Sequence, residues 1–126
     1  IICVIATDIP LSSSQLDRLS RRATIGIGRG GTPGGNSSGD IFVSFSTANK
    51  SPMPQLDGAW STKTTLNDEL LDAVYLSGIE AVEEAILNAM LAAEDIPLAR
   101  PANGICRSLN PDQLMNALYS RNSRIQ

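Results

Sequence analysis

The sequence predicts part of an α/β layered fold, and three observations point that way. Ile1-Ile2-Cys3-Val4-Ile5-Ala6 is a continuous apolar run rich in β-branched residues, the pattern of a strand covered on both faces. Between about Asn67 and Ala93, apolar positions recur at helical spacing. Only one further strand, Ile41 to Thr47, is convincing, and two strands do not make an independently stable sheet. The remaining strands have to come from elsewhere, so residues 1–126 read as a single partial domain.

Taken in order, Thr7-Asp8-Ile9-Pro10 ends the first strand, because Pro10 blocks its continuation. A helix follows. Ser12 and Gln15 have the spacing of a capping box, and Leu16, Leu19, Ala23 and Ile27 repeat at helical intervals. Gly26, Gly28 and Gly30 are expected to dissolve that helix into a loop. In the second strand, Ile41, Val43 and Phe45 share one face, and Phe42, Ser44 and Ser46 the other. A polar connection without a period runs to about Leu66 and carries Pro52, Pro54, Gly58 and the single tryptophan, Trp60. The long helix lines up Leu71, Val74, Gly78, Val82, Ile86, Met90 and Ala93. Thr65 is its expected cap, with Asp68 three residues on, and Ser77-Gly78 an expected kink or break. Pro97 and Pro101 mark a turn region. Asn110 caps a last helix with Pro111 in its first position, and the polar tail from Ser120 is expected to fray.

Composition narrows the function. The chain is 42% hydrophobic with a net charge of −3 and a pI near 4.8, which argues against a nucleic-acid surface. Arg18, Arg21 and Arg22 form the one basic cluster, an anion patch or, more commonly, a solvated helix face. Cys3 and Cys106 have no metal-site or disulfide-framework spacing, and Cys3 reads as a small buried hydrophobe. With no histidine, the chain by itself cannot supply Ser-His-Asp or Cys-His catalysis or the common zinc sites. No run approaches the roughly 18 apolar residues that span a bilayer, and none reads as a secretory signal. Neither a membrane nor a nucleic acid is expected as partner. The compartment stays open. The sequence starts in mid-strand and without Met, which fits missing residues or the downstream product of a cut precursor.

The most unusual stretch is Gly26 to Asp40, which holds seven of the ten glycines (26, 28, 30, 31, 34, 35 and 39). It delivers Ser37, Ser38 and Asp40 to the start of the second strand, a first candidate for a site. Two familiar patterns occur in it. Gly26-Ile27-Gly28-Arg29-Gly30-Gly31 matches G-x-G-x-x-G, but a dinucleotide fingerprint needs strand, loop, helix, and the order here is helix, loop, strand. Gly35-Asn36-Ser37-Ser38-Gly39 matches the nucleophile elbow G-x-S-x-G, which needs a following helix and a histidine. Read on pattern alone, the loop equally fits one that folds tightly against a partner chain. Asp40 fits a strand-entry cap, and Ser37 an ordinary loop hydroxyl.

Family resemblance separates these readings. Ile1 to Leu11 (IICVIATDIPL), Asn36-Ser37-Ser38-Gly39-Asp40-Ile41-Phe42, Phe45-Ser46-Thr47-Ala48-Asn49 and Glu83-Glu84-Ala85-Ile86-Leu87-Asn88-Ala89 occur in matching order along nearly the whole chain. Together they resemble the β subunit of the DmpA-type aminopeptidases, a group of L-aminopeptidase/D-esterases and β-peptidyl aminopeptidases.

The resemblance implies an αββα sandwich of the DmpA/ornithine acetyltransferase type, completed by a separate α chain, in αβ heterodimers that assemble further. It implies a precursor that cuts itself before a serine, which then becomes the N-terminal nucleophile and is expected immediately before Ile1. Ser38 and Asp40 match the family's loop serine and carboxylate beside that nucleophile. Ser38 would take the nucleophile's proton and pass its own toward Asp40, or the nucleophile's own α-amine would serve as base. Some members carry Glu where this sequence has Asp40, so the reach is shorter here. Gly35, Asn36, Ser37 and Gly39 would position substrate through loop amides. The oxyanion donor and the group that reads the substrate's amine would come from the α chain. No metal or organic cofactor is implied. The implied activity is release of N-terminal β-amino acids or small L- or D-residues from short peptides, amides or esters. The alternatives are an ornithine acetyltransferase-like acyl transferase and a non-catalytic assembly subunit.

Overall fold

A computed structural model describes residues 1–52 and 58–122; Pro54 of the connection and the tail 123–126 lie outside the described residues. The elements are β1 (Ile2–Thr7), α1 (Ser13–Arg29), β2 (Ile41–Ser46), a 3₁₀ turn (Asp68–Leu70), α2 (Leu71–Leu91), β3 (Ile96–Pro97), β4 (Ile105–Cys106) and α3 (Pro111–Asn122). They fall into two compact units, Ile1–Glu83 and Glu84–Gln126.

In the first unit, β1 and β2 pair in parallel with α1 between them, the βαβ arrangement that an apolar strand followed by an amphipathic helix favours. Ser12 caps α1 as expected: its hydroxyl accepts from Gln15 N at 3.3 Å, and Gln15 Oε1 accepts from Ser12 N at 2.8 Å. Gln15 is itself buried and does more than close the box. Its Nε2 donates to Leu66 O at 2.8 Å and Asp68 Oδ1 at 2.6 Å, tying α1 to the entry of α2. The core is Leu11, Leu19, Ala23, Leu71, Ile79 and Val82, with Ile5, Ile9, Leu16, Leu66, Val74 and Tyr75 partly buried against it.

Two glycine expectations need correction. Gly26 and Gly28 do not dissolve α1, which runs through both to Arg29 and ends on Gly30. Gly78 does not break α2, which is continuous from Leu71 to Leu91. The reason is close helix packing. A Cβ on Gly26 would lie 2.6 Å from Ile79 O, and one on Gly78 would lie 2.7 Å from Leu19 Cδ1. These glycines let α1 and α2 approach, and that gain outweighs their poor helix propensity. The cap before α2 also differs: Asn67, not Thr65, accepts from Glu69 N at 3.2 Å and opens the 3₁₀ turn.

The sheet divides as the alternation predicts. Phe42, Ser44 and Ser46 face the helices half-buried, while Ile41, Val43 and Phe45 join Ile2, Val4 and Ala6 on an exposed face. The inward serines act as anchors: Ser20 donates to Ser44 at 2.8 Å, Ser44 donates to Leu16 O, and Ser46 donates to Ile9 O at 2.6 Å. Cys3 lies half-buried beneath the same face, and burial pushes its thiol pKa up.

The second unit holds a short antiparallel pair that the proline-marked turn region did not suggest, β3 with β4, and no fully buried residue among those described. Asp95 fastens it, accepting from Arg107 at 2.6 Å and from Ser108 N at 2.8 Å. Asn110 caps α3 as expected, with Pro111 at the first position. Helix α3 continues past Ser120 to Asn122, so the described end of the chain stays helical where fraying was expected.

Candidate active site

Register creates the site. Ile2 pairs with Ile41, and every step to Thr7 and Ser46 is matched without a bulge. Ile41 N donates to Ile1 O at 2.9 Å, so Ile1 and Asp40 lie abreast at the amino-terminal edge of the sheet. The Ile1 nitrogen donates to Asp40 Oδ1 at 2.8 Å, and Ser38 Oγ donates to the same oxygen at 2.9 Å. One carboxylate oxygen thus gathers a main-chain nitrogen and a hydroxyl from residues far apart in sequence. The short side chain of Asp40 is long enough for both.

The loop is shaped to deliver Ser38. Gly30 closes α1, and Gly31 and Gly34 adopt positive φ of 95° and 66°, where an L side chain is strained. Gly34 N donates to Thr32 Oγ1 at 3.3 Å, and a turn closed by Ser38 N to Gly35 O at 2.9 Å presents the serine. Asn36 and Ser37 occupy the tip of that turn, exposed, and their side chains make no hydrogen bond among the described residues. Gly39 lies exposed between Ser38 and Asp40.

Electrostatics follow from these contacts. The hydrogen bond from the Ile1 nitrogen, then that from Ser38, holds the Asp40 carboxyl below its ordinary 3.8, against desolvation. Ser38 spends its proton on Asp40, which leaves its oxygen lone pairs available to accept from another hydroxyl. Sequence reasoning had the serine and the carboxylate but not the Ile1 nitrogen. The β1–β2 register was the signal for it, and that register cannot be read from the sequence alone.

The arginine cluster takes no part. Arg18 pairs with Asp68 at 2.9 Å, Arg21 pairs with Asp17 at 2.8 Å, and Arg22 sits over the Tyr75 ring at 4.6 Å. Each cation already has a partner, so the solvated-face reading holds. Among the described residues no group of three or more His, Cys, Asp or Glu comes together as a metal site.

Against this geometry, the sequence profile of peptidase family S58 matches residues 1–101. The chain belongs to peptidase family S58. It is 45% identical over 96 residues to the β-peptidyl aminopeptidase BapA of Sphingosinicella microcystinivorans, covering 76% of this chain and 24% of that protein. To the BapA of Sphingosinicella xenopeptidilytica it is 35% identical over 124 residues, covering 96% of this chain and 30% of that one. In three dimensions it superposes on the L-aminopeptidase D-Ala-esterase/amidase of Ochrobactrum anthropi with a TM-score of 0.87 and 48% identity. That match covers 94% of this chain and 33% of the other, which is described as a prototype serine aminopeptidase and a new variant of the N-terminal nucleophile hydrolase fold. The S58 chain described here therefore has the α/β architecture of that fold and spans a third or less of these relatives' length.

Proposed function

We propose that residues 1–126, with a nucleophilic serine immediately before Ile1, form the β subunit of a self-processing serine aminopeptidase. It would release N-terminal β-amino acids, or small L- or D-residues, from short peptides, amides or esters. The observation that carries this is the triangle of Ile1 N, Asp40 Oδ1 and Ser38 Oγ, with sides of 2.8 and 2.9 Å meeting at the carboxylate. A serine joined to the Ile1 nitrogen sits one residue, about 3.8 Å in Cα spacing, from a position already tied to Asp40.

The chemistry then runs in two halves. The serine Oγ attacks the carbonyl carbon of the substrate's first residue. Its proton goes to Ser38 as Ser38 passes its own to Asp40, or else to the serine's own α-amine. The bond to the leaving amine or alcohol breaks as that group takes back the proton, from Ser38 as Asp40 returns its own or from the α-amine, and the first residue remains as an ester on the serine. Water then attacks the ester, frees the amino acid and restores the hydroxyl. Asp40 holds Ser38 through the 2.9 Å hydrogen bond and takes the proton that Ser38 passes on. Among the described residues the main-chain N–H groups of Gly35, Asn36, Ser37 and Gly39 have no acceptor, and they are available to orient substrate. A companion α chain from the same precursor supplies the oxyanion donor and the group that reads the free amine, in αβ heterodimers that assemble further.

Expression of the full-length gene tests the proposal. Intact mass should show two chains, the smaller beginning with serine immediately before Ile1; one uncut chain overturns the self-processing reading. Ser38→Ala should fold normally and lose about 10²- to 10⁴-fold in kcat on β-alanyl or D-alanyl amides, the usual range for a proton-transfer group. An unchanged kcat would remove Ser38 from the mechanism.

A further inference from the structure

The second unit, Glu84–Gln126, carries apolar surface without a core of its own. None of its described residues is buried, and Ile96, Leu118 and Tyr119 are 61%, 51% and 66% exposed. A unit this small without a core takes its stability from a disulfide, a metal or a partner. Cys106 is its single cysteine and is free, and no metal-binding group occurs among the described residues. A protein partner remains.

Helix α3 presents the face for it. Met115, Leu118 and Tyr119 stand at i, i+3 and i+4, the anchor spacing of a helix laid into a groove, and all three are exposed. Asp112 is the one charged residue from Pro111 to Ser120. An apolar, nearly uncharged face that includes a tyrosine has the composition of an interface core. Its occupant has to be present whenever the unit folds. A second copy of the chain meets that condition only at sufficient concentration, whereas a stretch of the same polypeptide meets it at every concentration. Relatives have such a stretch. The match to BapA of Sphingosinicella xenopeptidilytica covers 96% of this chain, and so reaches into α3, but only 30% of that protein.

We propose that the Met115, Leu118 and Tyr119 face of α3 docks on the polypeptide that precedes Ile1 in the full-length protein. This rests on the function proposed above for that polypeptide being a separate α chain, and adds the surface that keeps the two chains together after the cut.

The experiment uses the full-length protein with the photo-cross-linking residue p-benzoylphenylalanine at position 119, a replacement that keeps an aromatic ring there. Illumination should give an adduct with the summed mass of the α and β chains, and the peptide attached to position 119 should map upstream of Ile1. A β–β adduct, an attachment within residues 1–126 or no adduct overturns the inference. An uncut chain whose cross-link still maps upstream of Ile1 removes the self-processing reading and keeps the docking. In a second variant, Leu118→Glu, a β chain tagged at its C-terminus should recover about tenfold less α chain than wild type at the same concentration. Full recovery overturns the inference, and if Leu118→Glu does not fold, the cross-link decides.

Discussion

Helix α1 carries two glycines two residues apart, and alanine at each should act in opposite directions. At Gly28 a Cβ meets nothing within 4 Å and the residue is exposed, so Gly28→Ala gains helix propensity alone, about 0.8–1.0 kcal/mol. At Gly26 the same propensity gain applies, but the Cβ would lie 2.6 Å from Ile79 O and 3.0 Å from Val82 Cβ. The nearest atom is backbone, so relief requires α1 and α2 to move apart, and overpacking of this kind costs about 1–3 kcal/mol. The net for Gly26→Ala is a loss of up to about 2 kcal/mol, and the two variants should differ by about 1–3 kcal/mol. Equilibrium urea unfolding of the full-length protein, followed by far-UV circular dichroism, measures both. A Gly26→Ala protein as stable as Gly28→Ala would refute the close helix approach. A Gly28→Ala protein less stable than wild type would refute the continuation of α1 past Gly26.

Two further outcomes concern the polar network at the start of α1. Gln15→Ala should cost about 2–3 kcal/mol, since it leaves Ser12 N and Leu66 O without partners, whereas Ser12→Ala should cost about 1 kcal/mol as the loss of one cap. Near-equal losses would mean that Gln15 acts only within the capping box. Asp68 is held below its ordinary 3.8 by hydrogen bonds from Gln15, then Arg18, with the Arg18 charge adding. A depressed carboxyl contributes stability above its unfolded value and loses it as pH falls through the folded value, so the gap between wild type and Asp68→Asn should shrink below about pH 3.8. Urea midpoints between pH 2.5 and 7 check this; a gap that stays constant removes the Asp68 contacts from acid stability.

What could be read from the sequence, and what could not, divides along local and non-local physics. The capping box at Ser12 and the Asn110-Pro111 helix start are local hydrogen-bond patterns, and both stand where they were read. Alternation in Ile41–Ser46 correctly assigned the two faces, because a strand's period is fixed by its own backbone. Glycine was the failure. Gly26 and Gly78 look like breakers in one dimension, and only the partner helix reveals that each is a point of contact. At the site, Ser38 and Asp40 were reached through resemblance to known aminopeptidases. Their meeting with Ile1 depends on parallel pairing across 39 residues, which no local pattern encodes.

The outer face of the β1–β2 pair has a practical consequence. Ile2 is 73% exposed, Val4 59% and Ile41 56%, on a sheet that among the described residues has two strands, each unpaired along one edge. An apolar strip bordered by open hydrogen-bonding edges is what drives strands of separate molecules to stack. Residues 1–126 at high concentration should therefore tend toward insoluble material, and a charged residue in place of Val4 should reduce that tendency.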